Sequence, residues 1–290
     1  MGKTNFLFAN PIVDRTGLGN MLFPWARAEV FARNHQCSVL APKWTHWMRI
    51  GPWLRREKDK RYYLQLFSNE GYVTGFKRYW ILLSKQHLTE NEFAQNNPGG
   101  FQEKKTVVLD FMGMEGLFQP FLSSQAYVRE RLYAITHPKI NASVVADGSL
   151  PFIGVHIRRG DFKQAGFSIP LEWYAKAIAF AKSNIRVRGV DVNGLPVRVF
   201  TDDVPGVLDF FQNTIPNIGV MPNRLALQDL WLLSKASILI GTSRSTFSMW
   251  AVFLGQMPSV WHPSDVPPRM LVEENESPFL FNGDRGDKRG

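Results

Sequence analysis

The sequence predicts an α/β fold of the doubly wound kind, in which helices cover both faces of a mostly parallel sheet. Residues 153–262 alternate short apolar runs with amphipathic segments, which is typical of repeated βα units. The run Phe152–Ile157 is apolar enough for a strand buried on both faces. Near the N-terminus a short strand, a glycine-containing loop and a helix follow one another, as at the start of a Rossmann-like unit.

Length and composition set the first limits on the class of protein. The chain has 290 residues, enough for one large domain or two of about half that size. No apolar run reaches the roughly 18 residues that a membrane span needs, and the first residues lack a signal-peptide pattern. Cys37 is the only cysteine, which excludes an intrachain disulfide and a cysteine-based zinc site. We therefore expect a cytoplasmic protein.

The formal charge of +9 leaves three classes of partner to weigh: nucleic acid, an anionic membrane surface and a nucleotide-sugar donor. The basic residues are scattered, apart from a run at 55–61 that acidic residues interrupt. A run of this kind is typical of a solvated loop or helix face. We therefore expect no nucleic-acid partner and keep a peripheral contact with an anionic membrane surface as a hypothesis.

The N-terminal half contains clear elements around a segment that is harder to interpret. The predicted strands are 4–9, 38–41 and 106–111, and the predicted helices are 22–34 and 124–135. Residues 43–100 concentrate aromatic side chains, which suit either a sugar-binding surface or ordinary core packing. Residues 138–151 contain turn-forming residues and are interpreted as an interdomain connection. The predicted domains are accordingly 1–147 and 148–290.

The C-terminal half shows the more regular alternation. The predicted strands are 153–158, 197–200, 218–221, 238–241 and 259–262, and the predicted helices are 171–183, 208–213, 225–235 and 245–254. Since ligands of open α/β sheets bind beyond the carboxyl ends of the strands, the residues that follow these strands are candidates for function.

The cluster at the end of the first of these strands is His156-Ile157-Arg158-Arg159-Gly160-Asp161. Side chains alternate along a strand, so His156 and Arg158 are expected on one face and Arg159 on the other, within reach of Asp161 or the following loop. Guanidinium groups bind phosphate oxygens in a fork and keep their charge. The cluster therefore suits a diphosphate, although two arginines could also form a solvated rim with a structural ion pair.

Polar residues also occur at three further positions of the kind at which α/β folds bind ligands. Asp202 and Asp203 follow a predicted strand, and either a ligand or a helix N-cap would explain them. Ser245 and Thr246 open a predicted helix, where backbone N–H groups favour an anion but Ser and Thr also serve as ordinary caps. Gly19 and Asn20 lie in the first loop, where a tight turn and an N-cap are the alternatives to ligand contact.

Four stretches of the sequence form an ordered set: Gly17-Leu18-Gly19-Asn20-Met21-Leu22-Phe23; Val155-His156-Ile157-Arg158-Arg159-Gly160-Asp161; Phe200-Thr201-Asp202-Asp203; and Asp229-Leu230 with Ser245-Thr246-Phe247-Ser248-Met249-Trp250. Together they resemble motifs of the α1,2-, α1,6- and protein O-fucosyltransferase superfamily. Their order and spacing resemble those of α1,2-fucosyltransferases (glycosyltransferase family 11) in particular. The resemblance covers about residues 5 to 262. It implies a GT-B-like fold with two Rossmann-like domains facing a cleft, the N-terminal domain on the acceptor side and the C-terminal domain binding the donor.

The resemblance also implies an activity in carbohydrate metabolism. The expected reaction is an inverting, metal-independent transfer of L-fucose from GDP-fucose to a glycan hydroxyl, in an α1,2 linkage to a galactoside, with no cofactor. Two alternatives stay open: a catalytically silent nucleotide- or glycan-binding protein with the same fold, and a transferase that uses another sugar or acceptor.

The residue roles that the resemblance implies divide into catalysis and donor binding. Asp203 is expected to bind the guanine edge, with Asp202 left open. The resemblance does not identify the general base, for which Asp14 and Asp161 are candidates. Arg244 departs from the asparagine that α1,2-fucosyltransferases usually carry there. The expected catalytic residues are Arg158, Arg159 and Asp161, and the expected donor-binding residues are His156, Arg158, Asp203, Ser245, Thr246, Phe247, Asn20 and Gly19.

Overall fold

A computed structural model describes residues 7–13, 16–44, 63–96, 106–147, 150–187, 190–212, 214–215, 218–222, 224–273 and 278–283. The described residues fall into two compact units, which divide between His137 and Pro138. Each unit contains a parallel sheet with helices, so the predicted α/β class is confirmed. None of the helices in the described ranges is long and apolar enough to cross a lipid bilayer.

The first unit is built on a four-stranded sheet in the order β2-β1-β4-β3, in which every neighbouring pair is parallel. Its strands are β1 (Leu7–Pro11), β2 (Ser38–Val39), β3 (Gln86–Thr89) and β4 (Val107–Phe111). Its helices are Leu18–Asn34, Gly75–Ser84, Glu90–Asn96 and Gln125–Ile135, with 3₁₀ turns at Leu64–Leu66 and Gln119–Ser124.

The first helix begins at Leu18, four residues before the predicted start, with Gly17 at its N-cap. Leu18, Leu22 and Trp25 are all buried, so the apolar stripe of this helix extends back to the glycine turn. Asn20 therefore lies inside the first helical turn and does not occupy the N-cap position that the sequence offered as an alternative.

The second unit is built on a six-stranded sheet in the order β12-β11-β10-β5-β8-β9, again with parallel pairing throughout. Its strands are β5 (Ile153–Ile157), β8 (Val197–Thr201), β9 (Ile218–Val220), β10 (Ile238–Ile240), β11 (Ser259–Trp261) and β12 (Phe279–Leu280), and β6 (Arg186–Val187) pairs separately with β7 (Val190–Asp191). Its helices are Pro138–Asp147, Gly160–Ala165, Leu171–Asn184, Val204–Gln212, Ala226–Leu233 and Thr246–Gly255.

Strand β5 lies between β10 and β8 and is buried along its whole length. Val155 packs in one core cluster with Tyr174 and Ile178 of the Leu171–Asn184 helix. On the other side, a Cβ at Gly154 would lie 2.8 Å from the Cβ of Ala236, so glycine is required for this close approach. The packing fixes β5 in position, and with it the direction in which the residues after Ile157 leave the sheet.

The interpretation of residues 138–151 as a connection is corrected, because Pro138–Asp147 is a helix of the second unit. Its Asn, Ser and Asp residues suggested a loop. However, Ile140 and Val144 are four residues apart and both buried, which gives the segment a helical apolar stripe. Gln228 of the Ala226–Leu233 helix also donates a hydrogen bond to Ser143 Oγ, at 2.6 Å.

Candidate functional site

Three adjacent strands of the second unit end at the same edge of the sheet. The register aligns Ile157 of β5 with Thr201 of β8, and Val155 of β5 with Ile240 of β10. The segments that follow these strands are 158–161, 202–203 and 241–248, so the structure brings together the C-terminal motifs that the sequence singled out. This carboxyl edge is where open α/β sheets bind their ligands.

Arg158 is held by a bidentate ion pair with Asp161. Arg158 Nε donates to Asp161 Oδ1 and Nη2 donates to Oδ2, each at 2.9 Å, and the guanidinium carbon lies 5.5 Å from the ring centre of Phe162. The two side chains are 28% and 35% exposed, so the pair lies at the surface of the edge. The two parallel hydrogen bonds orient the plane of the guanidinium group.

The partner of Arg159 is Asp203 and not Asp161. Arg159 Nε donates to Asp203 Oδ2 at 3.2 Å. Asp161 lies in the first turn of the short helix that begins at Gly160, and there its carboxylate is already paired with Arg158, which precedes the helix. Arg159 is the residue before this helix and extends toward the end of β8 instead.

Asp202 stabilises the start of the Gly160–Ala165 helix from the neighbouring strand. Its Oδ1 accepts hydrogen bonds from the backbone N–H groups of Arg159, at 2.8 Å, and of Gly160, at 3.1 Å. A Cβ at Gly160 would lie 2.8 Å from Asp202 Oδ2, so a larger residue would displace the carboxylate. Asp202 thus has a capping role, although the helix that it caps follows a different strand.

Asp203 accepts from two cations at its Oδ2 atom: Lys163 Nζ at 2.7 Å and Arg159 Nε at 3.2 Å. The hydrogen bond from Lys163 is the main reason that the pKa of Asp203 lies below its ordinary value, and the backbone N–H of Gly206 contributes in the same direction. Asp203 therefore both caps the Val204–Gln212 helix and shares its single negative charge between Lys163 and Arg159, so a net positive charge remains.

The ends of β5 and β10 are joined through Thr242, which is fully buried. Thr242 Oγ1 donates to the carbonyl oxygen of His156 at 2.7 Å and accepts from the backbone N–H of Arg158 at 3.0 Å. Because a hydroxyl has one hydrogen, the 2.9 Å contact with Tyr174 requires the tyrosine to donate. The sequence analysis did not single out Thr242 or Tyr174, although a threonine after the buried strand β10 was an available signal for Thr242.

His156 lies beneath the edge as a buried neutral ring. Burial lowers the pKa of His156 to about 3, and the nearby Arg158 charge acts in the same direction. Its Nδ1 shares a 2.6 Å hydrogen bond with Ser248 Oγ, which also accepts from the backbone N–H of Thr242. The ring centre lies 5.0 Å from that of Phe247. His156 and Phe247 therefore form one packed layer that supports the turn after β10.

Ser245 caps the helix that begins at Thr246. Its side chain accepts from the backbone N–H of Ser248 at 3.4 Å and is buried. The residue before it, Arg244, has a left-handed backbone (φ +62°), and its N–H donates to Asp265 Oδ2 at 2.9 Å. The Arg244 guanidinium lies 4.6 Å above the ring of Phe167. The turn is thus stabilised by a cation–π contact and an ion-assisted hydrogen bond.

Asp229 is a half-buried carboxylate to which the sequence analysis gave no role. It lies in the Ala226–Leu233 helix, which leads down to β10, so its first turn lies at the carboxyl edge of the sheet. Its Oδ1 is buried without a hydrogen-bond partner. Burial raises the pKa of Asp229 to about 7, although the Arg224 charge opposes the shift.

The remaining predicted residues belong to the first unit or are not described. Gly19 and Asn20 lie in the first turn of the Leu18–Asn34 helix, in the unit that does not contain Arg158. Asp14, a candidate base, lies outside the described residues. Over the described ranges, no group of three or more His, Cys, Asp and Glu side chains is arranged to hold a metal ion.

Comparison with solved structures identifies the fold. NodZ α-1,6-fucosyltransferase from Bradyrhizobium, co-crystallised with GDP, superposes with a TM-score of 0.53 at 18% identity, over 89% of this chain and 95% of that chain. POFUT1 in complex with GDP gives 0.54 at 13% identity, over 90% and 99%. A variant of FUT1 from Arabidopsis thaliana in complex with GDP gives 0.55 at 14% identity, over 92% and 73%.

These likenesses cover most of the chain, and at such low identity they establish a shared fold. The chain has the fold of fucosyltransferase structures. The sequence itself matches no protein-family model and no curated protein in the comparisons made.

Proposed function

We propose that the protein is a glycosyltransferase that moves L-fucose from GDP-fucose to an acceptor hydroxyl. The observation that carries the proposal is Arg158, fixed by Asp161 at the carboxyl edge of the second unit's sheet. The fold supports the proposal, because structures with this fold include complexes with GDP and one soaked with GDP-fucose.

Arg158 supplies the charge that the leaving group requires. Departure of GDP from the sugar develops negative charge on the diphosphate, and a pre-oriented guanidinium stabilises this charge without reorganisation. Arg159 and the start of the Thr246–Gly255 helix add positive potential at the same edge. Loss of one such group raises the barrier by about 3 kcal/mol, which corresponds to at least a hundredfold in rate.

Asp161 acts as the positioning residue for Arg158 in this proposal. Both of its carboxylate oxygens accept from the guanidinium group, which is a poor arrangement for removing a proton from an acceptor hydroxyl. An Asp161→Asn variant should therefore weaken donor binding as well as turnover. A variant that keeps wild-type affinity for GDP and loses turnover alone would restore Asp161 as the candidate base.

Two carboxylates are candidates for the guanine edge, which presents N–H donors to an acceptor. The resemblance assigns this role to Asp203, which would have to exchange at least one of its present partners, Lys163 or Arg159. Asp229 offers a buried oxygen without a hydrogen-bond partner. Titration of Asp203→Asn and Asp229→Asn variants with GDP and with ADP distinguishes them, because only the guanine-binding residue sets the preference for GDP.

The finer parts of the proposal are inversion at the anomeric carbon, independence from metal ions, and an α1,2 linkage to a galactoside. The test is incubation with GDP-fucose across a panel of acceptors, with and without EDTA, reading released GDP and the linkage of the product by NMR. Release of GDP that EDTA abolishes contradicts metal independence. Binding of GDP without consumption of GDP-fucose on any acceptor favours the catalytically silent alternative.

We also propose a cytoplasmic protein that contacts an anionic membrane surface from one side. The charge of +9 supports such a contact. Cell fractionation at low and high salt tests the location, because a peripheral, charge-dependent association is released by salt.

A further inference from the structure

The helix Gly75–Ser84 carries a continuous stripe of large exposed apolar side chains. Phe76 is 82% exposed, Tyr79 53%, Trp80 58% and Leu83 86%. The four positions follow the i, i+3, i+4, i+7 spacing of a single helix face, about 100° wide. We name these four residues the aromatic stripe.

The opposite face of the same helix is well anchored in the first unit. Ile81 belongs to a buried cluster with Phe8, Leu40 and Val108. Arg78 is also buried, and its Nε donates to the carbonyl oxygen of Ala41 at 2.9 Å. Burial lowers the pKa of Arg78 from its ordinary value. The helix thus buries the Arg78 guanidinium and exposes the Trp80 ring. A surface helix with no binding partner usually shows the opposite, with its apolar side chains buried and its charged side chains in water.

Basic residues border the aromatic stripe and acidic residues are absent from it. Lys77 is exposed on the helix, Lys85 follows its end, and Lys43 Nζ lies 5.6 Å from the ring centre of Tyr79. The sequence 75–85 contains no Asp or Glu, and the chain as a whole carries a charge of +9. An apolar face with Trp, Phe and Leu between lysines is the composition of helices that lie in the interface of an anionic bilayer.

We propose that the aromatic stripe is a docking surface for an anionic lipid bilayer. The helix lies parallel to the membrane plane, Phe76 and Leu83 enter the acyl boundary, and Tyr79 and Trp80 lie at headgroup depth. Lys43, Lys77 and Lys85 contact lipid phosphates. The proposal rests on the peripheral membrane contact proposed above and places that contact on this helix. Its test uses binding alone, so it succeeds or fails independently of donor and acceptor chemistry, and equal pelleting of wild type and a stripe variant would overturn the placement while leaving the membrane contact standing.

Co-sedimentation of the full chain with lipid vesicles tests the proposal. We expect the protein to pellet with vesicles of phosphatidylcholine and phosphatidylglycerol and to stay in the supernatant with phosphatidylcholine alone. A Phe76→Ser/Leu83→Ser double variant should lower the partition coefficient at least tenfold, because both side chains are almost fully available for burial. The matched control is Leu150→Ser, since Leu150 is 65% exposed in the second unit and should leave partitioning unchanged.

Two further measurements separate a bilayer from other partners. Lipids brominated on the acyl carbons nearest the headgroup should quench wild-type tryptophan fluorescence more than that of Trp80→Phe, because the proposal places Trp80 at headgroup depth. Light scattering after size exclusion reports whether a second copy covers the stripe instead. A wild-type dimer that the double variant converts to a monomer would overturn the proposal, as would equal pelleting of wild type and double variant, or no pelleting of the wild type on anionic vesicles.

Discussion

Replacement of Thr242 by valine removes one hydroxyl from the junction between β5 and β10 while keeping the shape of the side chain. The hydroxyl has three partners: the carbonyl of His156 at 2.7 Å, the N–H of Arg158 at 3.0 Å and the hydroxyl of Tyr174 at 2.9 Å. Thr242 and Tyr174 are fully buried, so water does not replace the lost bonds readily.

The expected cost follows from the groups that are left without a partner. A buried polar group that loses its partner costs about 1–3 kcal/mol, and here three groups are affected, although relaxation recovers part of the loss. We therefore expect Thr242→Val to lower the free energy of unfolding by at least about 2 kcal/mol. The matched control Thr242→Ser keeps the hydroxyl and loses one methyl group, at about 0.8 kcal/mol.

Urea denaturation of the wild type and both variants measures this difference directly. The valine variant should also bind GDP more weakly than the serine variant, because the Arg158 N–H loses its anchor at the strand end. If the two variants differ by less than about 0.5 kcal/mol in unfolding free energy, the hydroxyl does not join the strands and the reasoning fails.

Three further predictions concern residues of the same edge. Arg158→Ala should weaken GDP binding at least a hundredfold in calorimetric titration, and the affinity of Arg158→Lys should lie between those of the alanine variant and the wild type. Both variants should keep nearly the thermal stability of the wild type. An affinity of Arg158→Ala equal to that of the wild type would contradict the diphosphate role. Because burial lowers the pKa of His156 to about 3, only the unfolded state takes up this proton between pH 6.5 and 3, so stability falls as pH decreases through that range. His156→Gln should flatten the dependence by up to one proton, about 1.4 kcal/mol per pH unit in urea titrations at pH 7, 6 and 5, and an unaltered slope would refute this. Burial raises the pKa of Asp229 to about 7, so the folded protein holds this proton more tightly than the unfolded chain and loses stability as pH rises from about 4 to 8. The Asp229→Asn variant should therefore melt at a higher temperature than the wild type at pH 8 but not at pH 4. Equal melting temperatures at both pH values would exclude a raised carboxyl pKa at this position.

The strands that carry the candidate site could be predicted from the sequence because each is a short apolar run buried on both faces. Strands β5, β8 and β10 were predicted to within one residue at each end. The helix Gly75–Ser84 was not predicted. Its apolar residues Phe76, Tyr79, Trp80 and Leu83 do have helical spacing, so this signal was available and was missed. The spacing alone would not have shown that this stripe faces outward while Arg78 faces inward.

That the polar segments meet at one edge of the sheet could be predicted, but the pairing of their side chains could not. Position at a strand end was enough to single out Arg158 and Arg159. The choice of Asp161 for Arg158 and Asp203 for Arg159 depends on where the Gly160–Ala165 helix begins. That start depends in turn on Asp202, which lies 42 residues away from Gly160 in sequence. Contacts of this kind require the register between strands, which a single sequence does not contain.

The central claim is that the edge formed by β5, β8 and β10 binds the diphosphate of a guanine nucleotide. A crystal structure of the protein with bound GDP tests it most directly. We predict phosphate oxygens at hydrogen-bond distance, about 3 Å, from the Arg158 guanidinium, with Asp161 still paired to it. A nucleotide bound elsewhere on the chain, with Arg158 and Asp161 unchanged and remote from any phosphate, would contradict the account.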